Sequence, residues 1–121
     1  MKILISDDAM FVRMSLKKIL DESDIECTYV EADTGVKAVE QYKLMKPDVV
    51  IMDITMPEMD GIEAVREIKA IDSDAKVIMC SSMGYQEKVV DAINAGAADF
   101  IVKPYEAAKV IASIKKVMNI H

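Results

Sequence analysis

Long apolar runs and cysteine are both scarce in this sequence. No stretch approaches the roughly 18 consecutive apolar residues that a membrane-spanning helix needs, and the opening MKILISDD turns acidic too soon for a secretory signal. The two cysteines, Cys27 and Cys80, each lie in an apolar, strand-like run, which favours buried free thiols in a reducing compartment over a disulfide. We therefore expect a cytoplasmic chain that does not insert into a membrane.

Positive charge is also in short supply. The chain has 15 Lys and Arg against 21 Asp and Glu, its formal net charge is −6, and it contains no basic run. Phosphate contacts need clustered cations, so no nucleic-acid partner is expected. With 121 residues, 52% of them hydrophobic, the chain has the length of one domain and enough apolar side chains for a core. We predict a single domain over residues 1–121.

Short apolar runs alternate with longer amphipathic ones along the whole chain, which is typical of a parallel sheet with crossover helices. The five predicted strands are KILIS at 2–6, CTYVEA at 27–32, DVVIM at 48–52, KVIMCS at 76–81 and DFIV at 99–102. Several of them lack strict alternation, as expected where helices cover both faces of a sheet. The pattern predicts an α/β fold, a doubly wound (βα)5 unit with a five-stranded parallel sheet.

Capping signals support the helices between these strands. Thr34 is a predicted N-cap, and Asp60, with a glutamate three residues later, predicts a variant capping box. Gly96 is a predicted C-cap. Val65, Ile68 and Ile71 share one face of the third predicted helix, which indicates that Ile71 faces the core. Met14 is interpreted as one of the methionines that fill the core.

Polar side chains mark the carboxyl ends of the predicted strands. Asp7 and Asp8 follow the first strand, Asp53 the third, and Lys103 the fifth, while Ser81 ends the fourth. Parallel strands present these ends at one edge of the sheet, which is where ligands bind in open α/β sheets. We therefore expect three carboxylates, a hydroxyl and an ammonium to gather at one place.

Three converging carboxylates need a physical explanation. Two like charges about 4 Å apart repel by roughly 4 kcal/mol at an effective dielectric of 20, whereas an N-cap contributes only about 1 kcal/mol. A bound Mg²⁺ would account for the cluster, because this ion prefers hard oxygen ligands and is usually held by carboxylates together with phosphate oxygens. With Lys103 and Ser81 nearby, the set has the parts of a phosphoryl-transfer site in which Asp53 is the nucleophile.

Four segments resemble the receiver domain of bacterial and archaeal response regulators. They are DD after the first strand, MDITMPEMDG after the third, CSS at the fourth and KP after the fifth. The resemblance covers the whole chain and implies a flavodoxin-like sheet with strand order 2-1-3-4-5. The segments DITMPEMDGIEAV and CSSMG are particularly similar to stand-alone CheY-type chemotaxis regulators.

The resemblance implies a role for each residue of the acidic cluster. Asp53 matches the phosphoacceptor. Asp8 matches the carboxylate that contacts Mg²⁺ directly, Asp7 the one that acts mainly through a water, and the backbone carbonyl of Thr55 the remaining protein ligand. These four positions would form the metal site, together with the phosphoryl group.

The resemblance also implies the catalytic and switch residues. Ser81 and Lys103 match the hydroxyl and the ammonium that meet the phosphoryl group, and the bond after Lys103 matches a cis X–Pro peptide. Ser81 and Phe100 match the pair that rearranges on phosphorylation. Thr55 and Met83 lie where dephosphorylation is tuned, and neither can orient an attacking water well, so slow to moderate self-dephosphorylation is expected.

The function implied is a phosphorylation-activated response regulator of a two-component chemotaxis pathway. A chemotaxis-type histidine kinase would be the phosphodonor, because His121, at the end of the chain, is the only histidine. The protein would catalyse its own phosphorylation and dephosphorylation. As a monomer it would bind a flagellar or archaeal motor switch or adaptor protein. The alternative is a non-chemotactic single-domain receiver that serves as a phosphorelay intermediate or protein-interaction module.

Two other classes fit the residues less well. A flavodoxin-type binder needs a hydroxyl- and glycine-rich phosphate loop after the first strand, where SDDAMF places acids. A phosphotransferase of the haloacid dehalogenase type needs a second acid two residues after the nucleophile, where Thr55 stands.

Overall fold

Five strands alternate with five helices in the structure, a computed structural model that describes residues 1–82 and 86–120. The elements in chain order are β1 (Lys2–Ser6), α1 (Met10–Asp21), β2 (Thr28–Ala32), α2 (Gly35–Met45), β3 (Val49–Asp53), α3 (Gly61–Ile71), β4 (Val77–Ser82), α4 (Gln86–Ala95), β5 (Asp99–Lys103) and α5 (Ala107–Val117). The predicted (βα)5 order is confirmed.

All four strand pairs are parallel, and the sheet order is β2-β1-β3-β4-β5. This is the order that the sequence resemblance implied. The strand bounds differ from the predicted ones by about one residue at some ends. Asp53 and Lys103 are the last residues of β3 and β5 because they still pair with β4, Asp53 opposite Cys80 and Lys103 opposite Ser82.

The core consists of two apolar clusters, one on each face of the sheet. One cluster packs α2, α3 and α4 against alternate strand residues such as Val50 and Met79. The other packs α1 and α5 against the intervening residues such as Ile51 and Ile78. Because both faces of the sheet are covered, β3 is buried along its whole length and its acid can reach solvent only at the strand tip.

The predicted caps are present. The Thr34 hydroxyl accepts a hydrogen bond from the backbone N–H of Lys37 (3.0 Å), and an Asp60 carboxylate oxygen accepts one from the N–H of Glu63 (2.9 Å). Gly96 follows α4 with a φ of +111°, in the left-handed region that favours glycine at a helix end.

Three packing predictions are wrong. Met14 and Ile71 are 59% and 46% exposed. Met14 lies two positions from the buried Leu16, which is nearly the opposite side of a helix with 3.6 residues per turn, whereas Ile71 lies at the margin of the apolar stripe of α3. Cys27 precedes β2 and is only partly buried, whereas Cys80 is fully buried.

Within the described ranges, no helix is both long and apolar enough to cross a bilayer.

Candidate active site

The carboxyl ends of β1 and β3, which are neighbouring strands, bring three acids together. Asp7 and Asp8 follow β1 directly, and Asp53 ends β3. A carboxylate oxygen from each of the three lies within 4.8 Å of those from the other two. The predicted gathering of these acids is confirmed.

Lys103 reaches this cluster from the end of β5. Its Nζ lies 2.8 Å from Oδ2 of Asp7 and 3.2 Å from Oδ1 of Asp53. The side chain spans β4 to do so, and 21% of its surface remains exposed. The peptide bond between Lys103 and Pro104 is cis. Lys103 is therefore the cation that the fold supplies to two of the three acids.

Burial divides the acids into an inner pair and an outer one. Asp7 and Asp53 are 2% and 8% exposed, whereas Asp8 is open to solvent. Both oxygens of Asp7 are already engaged, since Oδ1 accepts from the N–H of Ala9 at 2.9 Å and Oδ2 accepts from Lys103. A ligand that comes from solvent therefore meets Asp8 and the outer side of Asp53 first.

The pKa values of Asp53 and Lys103 are both raised in the site. Burial, and then the negative charge of Asp7, raise the pKa of Asp53 to about 6, although the ammonium of Lys103 opposes this shift. Burial also disfavours the charged form of Lys103, but its hydrogen bond to Asp7 and the charge of Asp53 outweigh that effect and raise the pKa of Lys103. Burial is thus the main reason that Asp53 ionises at a higher pH than an ordinary aspartate.

The donor set fits Mg²⁺. The three acids offer hard carboxylate oxygens, and a Mg–O distance of about 2.0–2.1 Å puts opposite ligands of an octahedron roughly 4 Å apart, the scale of the cluster. Because both Asp7 oxygens already accept hydrogen bonds, Asp7 suits an indirect contact through water better than a direct one. Asp8 and Asp53 are left as the carboxylates for direct coordination.

The loop between β3 and α3 is held by close backbone contacts. The N–H of Ile54 donates to the carbonyl of Cys80 (3.0 Å), and the N–H of Gly61 donates to the carbonyl of Ile54 (2.7 Å). A Cβ at Gly61 would overlap the carbonyl oxygen of Asp53. Thr55 is exposed on this loop, two residues after Asp53.

A second contact ties the same loop to β1. The buried hydroxyl of Ser6 donates to the sulfur of Met56 at a distance of 3.2 Å, and Met56 is itself 8% exposed. Ser6 thus links the end of β1 to the loop that follows Asp53 through a buried polar side chain. Thr55 lies between two buried residues, Ile54 and Met56, and this limits its freedom.

The remaining predicted residues lie on β4 and β5. Ser81 is 5% exposed and pairs with Val102, so it stands between the acids and the β5 edge. Phe100 is partly buried against the core and lines a groove of about 360 Å³ between β5 and α5. Met83 and His121 lie outside the described residues.

Sequence reasoning missed Arg13. Its guanidinium donates to the backbone carbonyl of Asp7 at 2.7 Å and to the carboxylate of Glu31 at 2.9 Å. Arg13 is the fourth residue of α1, where the helix dipole disfavours a cation. That mismatch is the one signal in the sequence that could have pointed to a specific role.

Comparison with known proteins shows which family the chain belongs to. The response regulator receiver domain family matches residues 3–115. The chain is 57% identical over 118 residues to the chemotaxis protein CheY of Bacillus subtilis, covering 98% of each chain. It is 53% identical over 116 residues to the chemotaxis protein CheY of Thermotoga maritima, covering 96% of each.

A solved structure gives the same fold. A crystal structure of a CheX–CheY–BeF3–Mg²⁺ complex from Borrelia burgdorferi superposes with a TM-score of 0.88 at 38% identity. The match covers 96% of this chain and 87% of that one. The chain therefore matches proteins named for chemotaxis in both sequence and fold, over nearly its whole length.

Proposed function

Because the chain belongs to the response regulator receiver family and matches CheY chemotaxis proteins over nearly their whole length, we propose that phosphorylation of Asp53 activates it as a chemotaxis regulator. One observation carries the proposal. Three carboxylates and the ammonium of Lys103 meet at one sheet edge, with Lys103 2.8 Å from Asp7 and 3.2 Å from Asp53. The ammonium of Lys103 thus contacts two of the three acids and leaves the exposed Asp8 available to a ligand.

Mg²⁺ is the proposed cofactor. When bound, it would supply positive charge to the oxygens of the transferring phosphoryl group. Asp8, Asp53 and the backbone carbonyl of Thr55 would hold it directly, and Asp7 would do so through a water. The close approach of the three carboxylates supports this assignment, because an oxygen of each lies within 4.8 Å of those of the other two.

The residues of this chain would divide the chemistry among them. An oxygen of ionised Asp53 attacks phosphorus, the bond from phosphorus to the donor's imidazole nitrogen breaks, and that nitrogen keeps the electron pair. Lys103 pairs with a phosphoryl oxygen as charge moves onto it, and the hydroxyl of Ser81 donates to another. The protein would thus catalyse its own phosphorylation, with a chemotaxis-type histidine kinase as the donor.

Loss of the phosphoryl group would also depend on this chain. Water must attack phosphorus in line with the Asp53 oxygen, and an acid or amide near the site would help to orient it. Thr55 is exposed beside Asp53 but offers only a hydroxyl, and Met83 offers no donor at all. Self-dephosphorylation is therefore expected to be slow to moderate.

The output would come from movement of Ser81 toward the phosphoryl group and of Phe100 into the space left behind. Phe100 lines the β5–α5 groove and also packs against the core, so its rotation would change a surface and the interior together. To reverse a mostly inactive population completely, phosphorylation must favour the active state by about 5.5 kcal/mol. The partner would be a flagellar or archaeal motor switch or adaptor protein, and the regulator would act as a cytoplasmic monomer.

The test is phosphorylation by a small acyl phosphate. The purified protein is incubated with the donor and Mg²⁺, and its intact mass is recorded with and without EDTA. We expect a labile gain of one phosphoryl group that needs Mg²⁺ and is lost in Asp53→Asn. The exposed helix acid Asp91 provides the matched control, and Asp91→Asn should be phosphorylated like the wild type. Equal labelling of Asp53→Asn would refute the assignment.

The alternative is a receiver that passes its phosphoryl group on or only binds proteins, and the behaviour of the phosphorylated protein distinguishes the two functions. A chemotaxis regulator should bind its motor partner more tightly when phosphorylated. A relay intermediate should instead return the label to a histidine on a third protein.

A further inference from the structure

Arg13 connects the acidic loop to the edge strand of the sheet. Its NH1 group donates to the backbone carbonyl of Asp7 at 2.7 Å, and its Nε donates to Oε1 of Glu31, on β2, at 2.9 Å. The Arg13 side chain is only 14% exposed. Both contacts are therefore protected from solvent on the arginine side, and two charge-assisted hydrogen bonds fix the guanidinium.

The contacts of Arg13 help to fix the peptide unit between Asp7 and Asp8. The N–H of Asp7 donates to the carbonyl of Ala32 (3.0 Å), so the residue is held on its amino side by β2 and on its carbonyl side by Arg13. A peptide unit is planar, so the carbonyl of Asp7 fixes the plane in which the N and Cα of Asp8 lie. Arg13 thereby sets the direction from which the Asp8 side chain projects.

An ion pair with Glu31 does not by itself explain Arg13. Lys17, one turn further along α1, already pairs with the other carboxylate oxygen of Glu31 at 2.6 Å. Lys17 remains 30% exposed, as a surface ion pair would, whereas Arg13 is more deeply buried. What distinguishes Arg13 from Lys17 is its bond to the carbonyl of Asp7.

We propose that Arg13 is a positioning residue of the metal site, which holds the Asp7–Asp8 peptide so that the Asp8 carboxylate is directed toward Asp53. This inference rests on the proposed Mg²⁺ site. Arg13 touches neither of the carboxylates proposed to bind the ion directly. Its effect passes through one backbone carbonyl, as with the groups around a metal site that orient its ligands.

If Arg13 acted only through its charge, its removal would change the affinity for Mg²⁺ in the opposite direction. A cation beside an acidic metal site repels a divalent ion, so removal of Arg13 should tighten Mg²⁺ binding if charge were its only effect. If Arg13 positions Asp8, its removal should weaken binding. The sign of the change distinguishes the two effects.

The experiment is a Mg²⁺ titration followed by the amide chemical shifts of the ¹⁵N-labelled protein. For Arg13→Met we expect Kd to rise by about tenfold, the low end of the range for groups that orient metal ligands. Arg13→Gln has the same charge as the methionine variant but keeps a hydrogen-bond donor, so it should bind more tightly than Arg13→Met. Lys17→Met is the matched control, since it removes a cation from Glu31 without touching Asp7, and its Kd should equal or fall below that of the wild type.

A second measurement needs no metal. In EDTA, the amide protons of Asp7 and Ala9 should exchange faster in Arg13→Met than in the wild type, because both belong to the loop that Arg13 holds. Lys17→Met should leave them unchanged. If Arg13→Met gives no cooperative unfolding transition, Arg13→Gln takes its place in both measurements.

The outcomes separate this inference from the proposed function. A wild-type protein that binds no Mg²⁺ would refute the proposed metal site, and amide exchange would then still report whether Arg13 holds the loop. A wild type that binds Mg²⁺ together with an Arg13→Met variant that binds as tightly, or more tightly, would overturn the positioning role alone.

Discussion

The two loops that carry the carboxylates are held in different ways. In the β1–α1 loop, which carries Asp7 and Asp8, the N–H of Asp7 donates to the carbonyl of Ala32, and the carbonyl of Asp7 is held by a partly buried side chain, that of Arg13. The β3–α3 loop is attached by backbone contacts, and Gly61 allows its helix to begin directly against the carbonyl of Asp53. The carbonyl of Asp7 therefore depends on a long, replaceable side chain, whereas the start of α3 beside Asp53 depends on the absence of a side chain.

This difference indicates which part of the site can be adjusted. A side-chain contact can be weakened in steps, so the position of Asp8 should be tunable without unfolding of the protein. A backbone contact at a glycine allows no intermediate, because even one added methyl group displaces a carbonyl. Asp53, the proposed phosphoacceptor, thus lies on the rigid side of the site, and Asp8, a proposed metal ligand, lies on the adjustable side.

The largest effect is expected where the rigid side is broken. In Gly61→Ala the new Cβ would overlap the carbonyl oxygen of Asp53 and crowd Ile54, so backbone must move. We expect a loss of about 3 kcal/mol in the free energy of unfolding, measured by urea denaturation. Glu63→Ala, in the same first turn but exposed, is the control and should cost less than about 1 kcal/mol. Equal losses for the two variants would contradict the steric argument.

The next effect concerns Asp53 and depends on pH. In the metal-free protein its pKa is raised from 3.8 to about 6, so the folded state binds a proton that the unfolded chain releases between these values. Stability therefore falls as pH rises through this window. In EDTA, Asp53→Asn should be more stable than the wild type by about 2–3 kcal/mol at pH 7.5, and by almost nothing near pH 4. Asp91→Asn should show no such trend, and a gain for Asp53→Asn that did not vary with pH would refute the titration.

The sequence was sufficient to predict the acids, because their position depends on regular features. Asp7, Asp53 and Lys103 each stand at the end of an apolar run, and parallel strands must end at one edge. The caps at Thr34 and Asp60 were equally predictable, since each depends on a residue and a backbone N–H only three positions away.

What could not be predicted depends on where side chains point. Arg13, on α1, contacts Asp7, six positions away, and Glu31, 18 positions away on β2. No local spacing in the sequence therefore reveals these two contacts. Ile71 lies at the edge of its helical stripe, where a period of 3.6 does not decide between core and solvent. The outward position of Met14, by contrast, does follow from the helical period, because Met14 is two residues from the buried Leu16. The contact from Ser6 to Met56 spans 50 residues and depends on the packing between β1 and the β3–α3 loop.

The Ser6–Met56 contact provides a test with a smaller expected effect. It joins β1, which leads into Asp7 and Asp8, to the loop that follows Asp53. Ser6→Ala removes a buried donor from the sulfur of Met56 and leaves a weak acceptor unpaired. We expect a loss of about 1 kcal/mol in the free energy of unfolding. Ser6→Cys keeps a similar volume and a weak donor, so it should cost less than the alanine variant. A more stable Ser6→Ala protein would show that the bond does not stabilise the loop.

The smallest effect is expected at Lys17, which shares Glu31 with Arg13 but stands outside the site. Its ion pair is about one-third exposed on both sides, so Lys17→Met should change the free energy of unfolding by no more than about 0.5 kcal/mol, and by less in 1 M salt. Arg13→Met should cost about 2 kcal/mol, because it removes two charge-assisted hydrogen bonds, one of them to a backbone carbonyl. Salt should reduce the arginine effect less, since that side chain is only 14% exposed. Equal, salt-sensitive losses for both variants would mean that the β1–α1 loop is held by surface charge, and the contrast between the two loops would then fail.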